Sequence, residues 1–169
     1  SYAAKNGHLE CLKYAHKNGS AWSNTCSYAA KNGHLECLKY AHENGCPWKN
    51  PHGSDTISNA TRGAARGAAQ DGHLACLMYA HKNGCPRDFH TCLDAAKNGH
   101  LSCLKYLHEN GYKWTKDTCT YAAEGGHLEC LRYAHENGCA WNTETTYCAM
   151  LKNQHECLHY AQNHGCARN

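Results

Sequence analysis

The chain of 169 residues contains no valine, a single isoleucine (Ile57), a single phenylalanine (Phe89) and only three prolines. Strands draw on β-branched and aromatic residues, so a chain this poor in them is predicted to be helical. Long apolar runs are missing too. Mean hydropathy is −0.77, no stretch approaches the roughly 20 residues that span a bilayer, and no secretory-signal pattern is present. A membrane is therefore not an expected partner. Charge of one sign is also scarce: 17 Lys and Arg stand against 14 Asp and Glu, a formal +3. That is too little for the phosphate-neutralising surface of a nucleic-acid binder, and only Lys5, Lys31, Arg62 and Arg66 could seed a basic patch. Finally there is no phosphate-cradling Gly loop, no dinucleotide fingerprint and no Ser nucleophile elbow. Neither an enzyme nor a cofactor is expected.

What the chain has in abundance is 14 cysteines and 15 histidines, and they recur periodically. The block from Ala29 to Gly45 nearly duplicates residues 3–19 and returns at 68–84, 95–111 and 122–138. A Cys-Leu step marks the register at Cys11, Cys37, Cys76, Cys103, Cys130 and Cys157, with spacings of 26, 39, 27, 27 and 27. Residues 1–169 thus read as one array of six copies, interrupted by an insertion at about 49–67. A catalytic dyad is normally made once, so Cys and His repeated six times point to architecture. In the sixth copy Asn153 stands for Gly, Gln154 for His and His155 for Leu. Asn is the next-best residue at a left-handed backbone position. There is no initiating Met, Ser1 falls within a first helix, and Asn169 follows a last turn. The expectation is an excerpt of a longer array, since no polar capping repeat is evident.

Each copy reads as two short helices. In the second, Thr25 offers a hydroxyl cap, Cys26 to Asn32 run helical, and Gly33 ends the helix. A second helix runs from His34 to Asn44-Gly45, and Cys46-Pro47-Trp48 breaks the chain. At about 100° per residue, Cys37, Ala41, Leu38, His42 and Leu35 share one arc, opposite Lys39, Glu43 and Glu36. In the first helix Ala29, Cys26 and Ala30 cluster, while Ser27, Lys31 and Tyr28 point away. Helices of two to three turns are marginal alone, so neighbouring copies must stack, with small Ala and Cys allowing close approach. In the insertion, Pro51 to Asp55 reads as a loop. Thr56 could cap a longer first helix, with Arg62 and Arg66 at i and i+4 on one face.

The stretch Thr25-Cys26-Ser27-Tyr28-Ala29-Ala30-Lys31-Asn32-Gly33-His34-Leu35-Glu36-Cys37-Leu38 resembles the Thr-Pro-Leu-His-x-Ala-Ala-x-x-Gly-His-x-x-Val-Val pattern of ankyrin repeats. Five of the six copies carry Ala-Ala-x-x-Gly-His. The period is shorter than the family's 33 residues, and Thr25 occupies the family's Pro position. The short, Cys-rich, Trp-bearing form is similar to ankyrin-like arrays abundant in amoebae and their giant viruses. The resemblance implies an all-α, ankyrin-like solenoid of about six helix-turn-helix repeats, with the family's β-hairpin fingers short or missing. It also implies a protein-interaction module whose partner meets the concave face, lined by the first helices. The candidate contact residues there are Tyr2, Lys5, Tyr28, Lys31, Arg62, Arg66, Gln70, Asp94, Lys97, Tyr121 and Glu124. Tyr beside Lys is common interface chemistry, and these outward positions vary between copies while the inward ones do not. Another protein is the expected partner; a structural or assembly component of a larger particle, viral or otherwise, is the alternative.

Trp22, Trp48, Trp114 and Trp141 recur at the family's Val position and are predicted to plug seams between repeats; Arg87 and Arg168 replace them elsewhere. His16, His42, His81, His108 and His135 recur likewise and are expected to be half-buried, hydrogen-bonded and held neutral by burial. A metal-loaded Cys/His array is a third, weaker reading. His34 with Cys37 and His42 with Cys46 have helical spacing, but a tetrahedral site needs four converging ligands, and Cys37 and His42 diverge by ~140° on the wheel. No metal is expected. Equivalent cysteines on neighbouring helices should lie ~8–10 Å apart, too far for the roughly 7 Å limit of a disulfide. Repeat-to-repeat bridges are excluded on that ground, whereas a within-repeat pair such as Cys26 and Cys37 is not. Reduced thiols imply an intracellular, cytoplasmic setting, or a host cytoplasm or virion for a viral protein.

Overall fold

The computed structural model describes residues 2–48 and 63–166. Among them twelve α-helices and no strand are found. Two compact units divide the chain, Ser1–Asp88 and Phe89–Asn169. The first holds α1 (Tyr2–Lys5), α2 (Leu9–Lys17), α3 (Thr25–Lys31), α4 (Leu35–Glu43), α5 (Ala64–Gln70) and α6 (Leu74–Lys82). The second holds α7 (His90–Lys97), α8 (Leu101–Glu109), α9 (Lys116–Glu124), α10 (Leu128–Glu136), α11 (Thr143–Leu151) and α12 (His155–Asn163). Each unit is three helix-turn-helix hairpins laid side by side, first helix against first helix and second against second. The expected all-α, ankyrin-like repeat architecture is the one observed.

The pairing follows from side-chain size. On α4, Cys37, Leu38 and Ala41 are buried, with His42 and Leu35 half-buried at the arc's edges. Glu36 lies on the solvent face, 2.9 Å from Lys39 Nζ. Such exposed i, i+3 pairs contribute only a few tenths of a kcal/mol. Stability comes from the Ala-Cys-Leu filling, in which each buried Leu contributes about 2 kcal/mol. On α3, Cys26, Ala29 and Ala30 are fully buried. Ser27, predicted to point outward, is buried as well, because α5 packs over it. A Cβ on Gly67 of α5 would lie 3.2 Å from Lys31 Cβ and 3.7 Å from Ser27 O.

Helix ends carry a repeated device. Asn44 donates its side-chain amide to Tyr40 O at 2.8 Å, Gly45 takes a left-handed φ of 85°, and Cys46 N–H closes onto Ala41 O at 2.9 Å. The orphan carbonyls of the last turn are thereby satisfied. In the sixth copy His164 supplies the same bond to Tyr160 O at 2.8 Å. Asn153 takes φ 56° in place of Gly, the substitution its residue type predicts.

Two local expectations are corrected. Thr25 is not a cap. It is the first residue of α3, fully buried, and its hydroxyl has no hydrogen-bond partner. The longer helix across the insertion also fails at its C-terminal end. Gly63 is extended (φ −59°, ψ 160°) and α5 begins only at Ala64, so no helix runs through position 63 into α5. Thr56 and Arg62 themselves lie outside the described residues, as does the loop proposed for Pro51 to Asp55.

All fourteen cysteines carry free thiols, twelve of them buried. Burial pushes the thiols of Cys76, Cys103 and Cys157 up to about 11 and that of Cys130 to about 12. They are neutral at physiological pH and behave as small apolar filler. The within-repeat neighbour of Cys26 is Cys46 rather than Cys37: Cys26 Sγ donates to Cys46 O at 3.6 Å, and Cys119 repeats this with Cys139 O at 3.8 Å.

Candidate functional site

Two surfaces are built by the repetition, a set of seams between hairpins and a row along the first helices.

The seams are made by His, Trp and Tyr. His42 of one hairpin shares a hydrogen bond through Nδ1 with the hydroxyl of Tyr79 in the next, at 3.2 Å. Trp48 stacks on His42 with ring centroids 4.1 Å apart, turns its edge to Tyr79, and donates its indole N–H to Asn83 O at 3.1 Å. His16, Trp22 and Tyr40 repeat the arrangement in the first unit (Nδ1 to hydroxyl 3.1 Å). In the second unit His108, Trp114 and Tyr133 (3.0 Å) and His135, Trp141 and Tyr160 (3.1 Å) repeat the His–Tyr bond and the ring contacts. The tryptophans do sit in the seams, but half-exposed, as lids on an imidazole rather than as core filler. His135 is held below the ordinary imidazole range first by burial and then by His164 beside it, against a smaller opposite pull from Glu136. His81, where Arg87 replaces the Trp, is lowered by burial and then by the Arg87 cation.

A second seam contact explains the Gly-His pair. The His34 ring lies over Gly7 of the preceding hairpin and bonds Lys5 O through Nε2 at 3.1 Å. A Cβ at Gly7 would fall 2.6 Å from His34 Nδ1; at Gly33 the same distance separates it from His73, and at Gly99 it is 2.5 Å from His127. Glycine is needed twice at these positions, for the left-handed turn and for the imidazole above it. With Nδ1 committed to Tyr and the ring faces covered, the histidines do not converge as ligands. Among the described residues no group of three or more His, Cys, Asp and Glu side chains is placed to hold a metal ion.

The row lies on the first helices. In the first unit Tyr2 and Lys5 on α1 are exposed, and Tyr28, Lys31, Arg66 and Gln70 on α3 and α5 are half-buried. Because α1, α3 and α5 are neighbours in order, these six form one strip. Arg66 is not a free cation: its Nη1 lies 3.4 Å from Asp88 Oδ2. In the second unit Lys97, Tyr121 and Glu124 are accessible, and Lys97 Nζ stands 4.5 Å above the Tyr121 ring centroid. Such cation–π contact contributes roughly 0.5–1 kcal/mol at an exposed site. Asp94 is only 7% exposed, so it offers little surface to a partner. Arg62 lies outside the described residues.

The outward positions of the sixth copy, Tyr147 and Leu151 among them, extend this surface. Tyr147, Met150 and Leu151 on α11 are 43, 53 and 58% exposed. Apolar residues run around all sides of α11 without helical periodicity. A groove of about 480 Å³ between α10 and α12, lined by Arg132, Glu136, Glu156 and His159 among others, belongs to the second helices and not to the row.

Comparison with known proteins places this geometry. A family model described as ankyrin repeats (many copies) matches residues 1–42. The crystal structure of the human ASB11 ankyrin repeat domain superposes with a TM-score of 0.78 at 21% sequence identity, over 98% of this chain and 83% of that one. No curated protein matches the chain in sequence. The fold is that of an ankyrin-repeat domain.

Proposed function

We propose that this chain is a non-enzymatic ankyrin-type scaffold that binds another protein through the row on its first helices. The observation that carries the reading is the division of labour between the two surfaces. The same His, Trp and Tyr recur at four seams. The row changes from Tyr2 and Lys5, through Tyr28 and Lys31, to Lys97 and Tyr121, at no cost to the packing beneath. Half-buried Tyr and Lys, held by their neighbours before any partner arrives, lose little freedom on binding, and Tyr supplies large contact area per ordered bond.

The contact set is Tyr2, Lys5, Tyr28, Lys31, Gln70, Lys97, Tyr121 and Glu124, with Arg66 and Asp94 acting through their own packing; Arg62, outside the described residues, completes the candidates. An assembly role in a larger particle is the second reading, favoured by the apolar Tyr147, Met150 and Leu151. An intracellular, cytoplasmic setting fits twelve buried thiols, and the short Cys-rich repeat fits an origin among amoebae or their giant viruses.

The test is the fourfold variant Tyr28→Ala, Lys31→Ala, Lys97→Ala, Tyr121→Ala, compared with the parent chain for binding to a partner trapped by a photo-crosslinker at position 28. Affinity should fall at least tenfold with unchanged far-UV circular dichroism. Unchanged affinity would refute the row as the contact surface.

A further inference from the structure

The buried thiols are of two kinds. On the second helices, Cys37, Cys76, Cys103, Cys130 and Cys157 are raised first of all by burial, as filler should be. The other kind comes in pairs. For Cys26 on α3 and Cys46 in the loop after α4, the strongest influence on each thiol is the other thiol. Cys119 on α9 and Cys139 in the loop after α10 repeat this. Cys26 Sγ reaches Cys46 O at 3.6 Å and Cys119 Sγ reaches Cys139 O at 3.8 Å, so each first-helix sulfur rests on the backbone of its partner. One such pair lies in each compact unit.

Packing does not require sulfur at either position. In other copies Ala65 and Thr146 stand where Cys26 and Cys119 do, and Tyr112 stands where Cys46 and Cys139 do; all three are buried. The members of a pair also differ. A hydrogen bond from Cys26 holds the Cys46 thiol below its ordinary value against the opposing effect of burial, and the same contact pushes Cys26 up. Cys139 and Cys119 are split in the same way. The member with more thiolate is the one that attacks a disulfide. Here it is the one in the loop, where local opening is cheapest.

We propose that Cys26 with Cys46, and Cys119 with Cys139, are two oxidation sites that react with a low-molecular-weight disulfide such as oxidised glutathione and close the second and fifth hairpins into rings. The Cys46 thiolate attacks one sulfur of the small disulfide. That S–S bond breaks, and the departing thiolate takes up the proton Cys46 gave away. The Cys26 sulfur then attacks Cys46 in the mixed disulfide, and its proton leaves with the second small thiol. Two protein thiols are oxidised to one disulfide while the small disulfide is reduced to two thiols. Each bridge joins a first helix to the exit of its own hairpin, 20 residues on. It therefore braces α3 and α9, the helices that carry Tyr28 and Tyr121.

The test uses the full chain with Cys11→Ser, which removes the one exposed thiol. The folded protein is incubated with oxidised glutathione, the remaining thiols are alkylated, and the peptides are mapped by mass spectrometry. Cross-linked peptides should join Cys26 to Cys46 and Cys119 to Cys139, and the melting temperature without reductant should rise by at least ~5 °C. Adding Cys26→Ala and Cys119→Ala, with alanine as at position 65, should leave far-UV circular dichroism unchanged. That variant should stop at glutathione mixed disulfides on Cys46 and Cys139, with no gain in melting temperature. Absence of cross-links in the first protein, or bridges from Cys46 or Cys139 to any other cysteine, overturns the proposal. An equal rise in melting temperature in the alanine variant does so too.

Discussion

The seams and the row sit on the same hairpins yet obey different rules. At a seam each residue answers to two hairpins: Gly33 to its own turn and to His73, and His42 to Trp48 and to Tyr79. Changing one strands the others. On the row, Lys97 reaches over Tyr121 and Tyr2 is 80% exposed. A repeat protein stabilised by nearest-neighbour interfaces can therefore hold its seams fixed and vary its row, as the four His-Trp-Tyr seams display.

That contrast can be broken most severely at glycine. Gly33 and Gly19 share a left-handed φ (77° and 79°), but a Cβ at Gly33 collides with His73 whereas one at Gly19 meets nothing within 4 Å. Gly19→Ala should cost only the backbone term, about 1 kcal/mol, and Gly33→Ala about 3 kcal/mol once displacement of the imidazole is added. Equal losses in urea melts would show that the imidazole contributes nothing to the seam.

The aromatic trio is the next test. Trp114→Ala should cost about 2 kcal/mol, less than for a fully buried Trp, and Tyr133→Phe about 1 kcal/mol for the lost hydrogen bond to His108. In a double-mutant cycle the two should couple by at least ~0.5 kcal/mol; additive losses would mean that the trio is three separate contacts.

The smallest effect is that of pH. His81 and His135 have folded pKa values below their unfolded ones. The unfolded chain then binds more protons, so their contribution is complete above an unfolded pKa of about 6.5 and is lost as pH falls through the lower folded values. The melting temperature should be level from pH 8 to 7 and decline towards pH 5, and Arg87→Ala should flatten the decline by removing the cation beside His81. A melting temperature level throughout would contradict both shifts.

Much of this was legible in the amino-acid order. The Cys-Leu register, the paired helices, the left-handed Asn153 and the placement of Trp at the seams follow from spacing and residue type. What escaped depends on the neighbour. A helical wheel puts Ser27 outside because it knows only α3, but α5 lies over it. Thr25 has the chemistry of a cap, yet the helix takes it as its first residue. His34 carries the family's Gly-His signature, but its partner is Lys5 O in the preceding hairpin, twenty-nine residues away in sequence. On the row, Tyr28, Lys31, Lys97 and Tyr121 are placed by their spacing, whereas the burial of Asp94 and the pairing of Arg66 with Asp88 come from elements no local pattern encodes.

The indole held face to face with an imidazole gives the molecule its own optical gauge. An excited indole is quenched by an imidazolium that it touches, so emission from Trp22, Trp48, Trp114 and Trp141 will brighten or dim as each junction opens or takes up a proton. With two such fluorophores in each unit, replacing three at a time leaves a single lamp at a chosen junction, and unfolding can be followed along the array without any added dye.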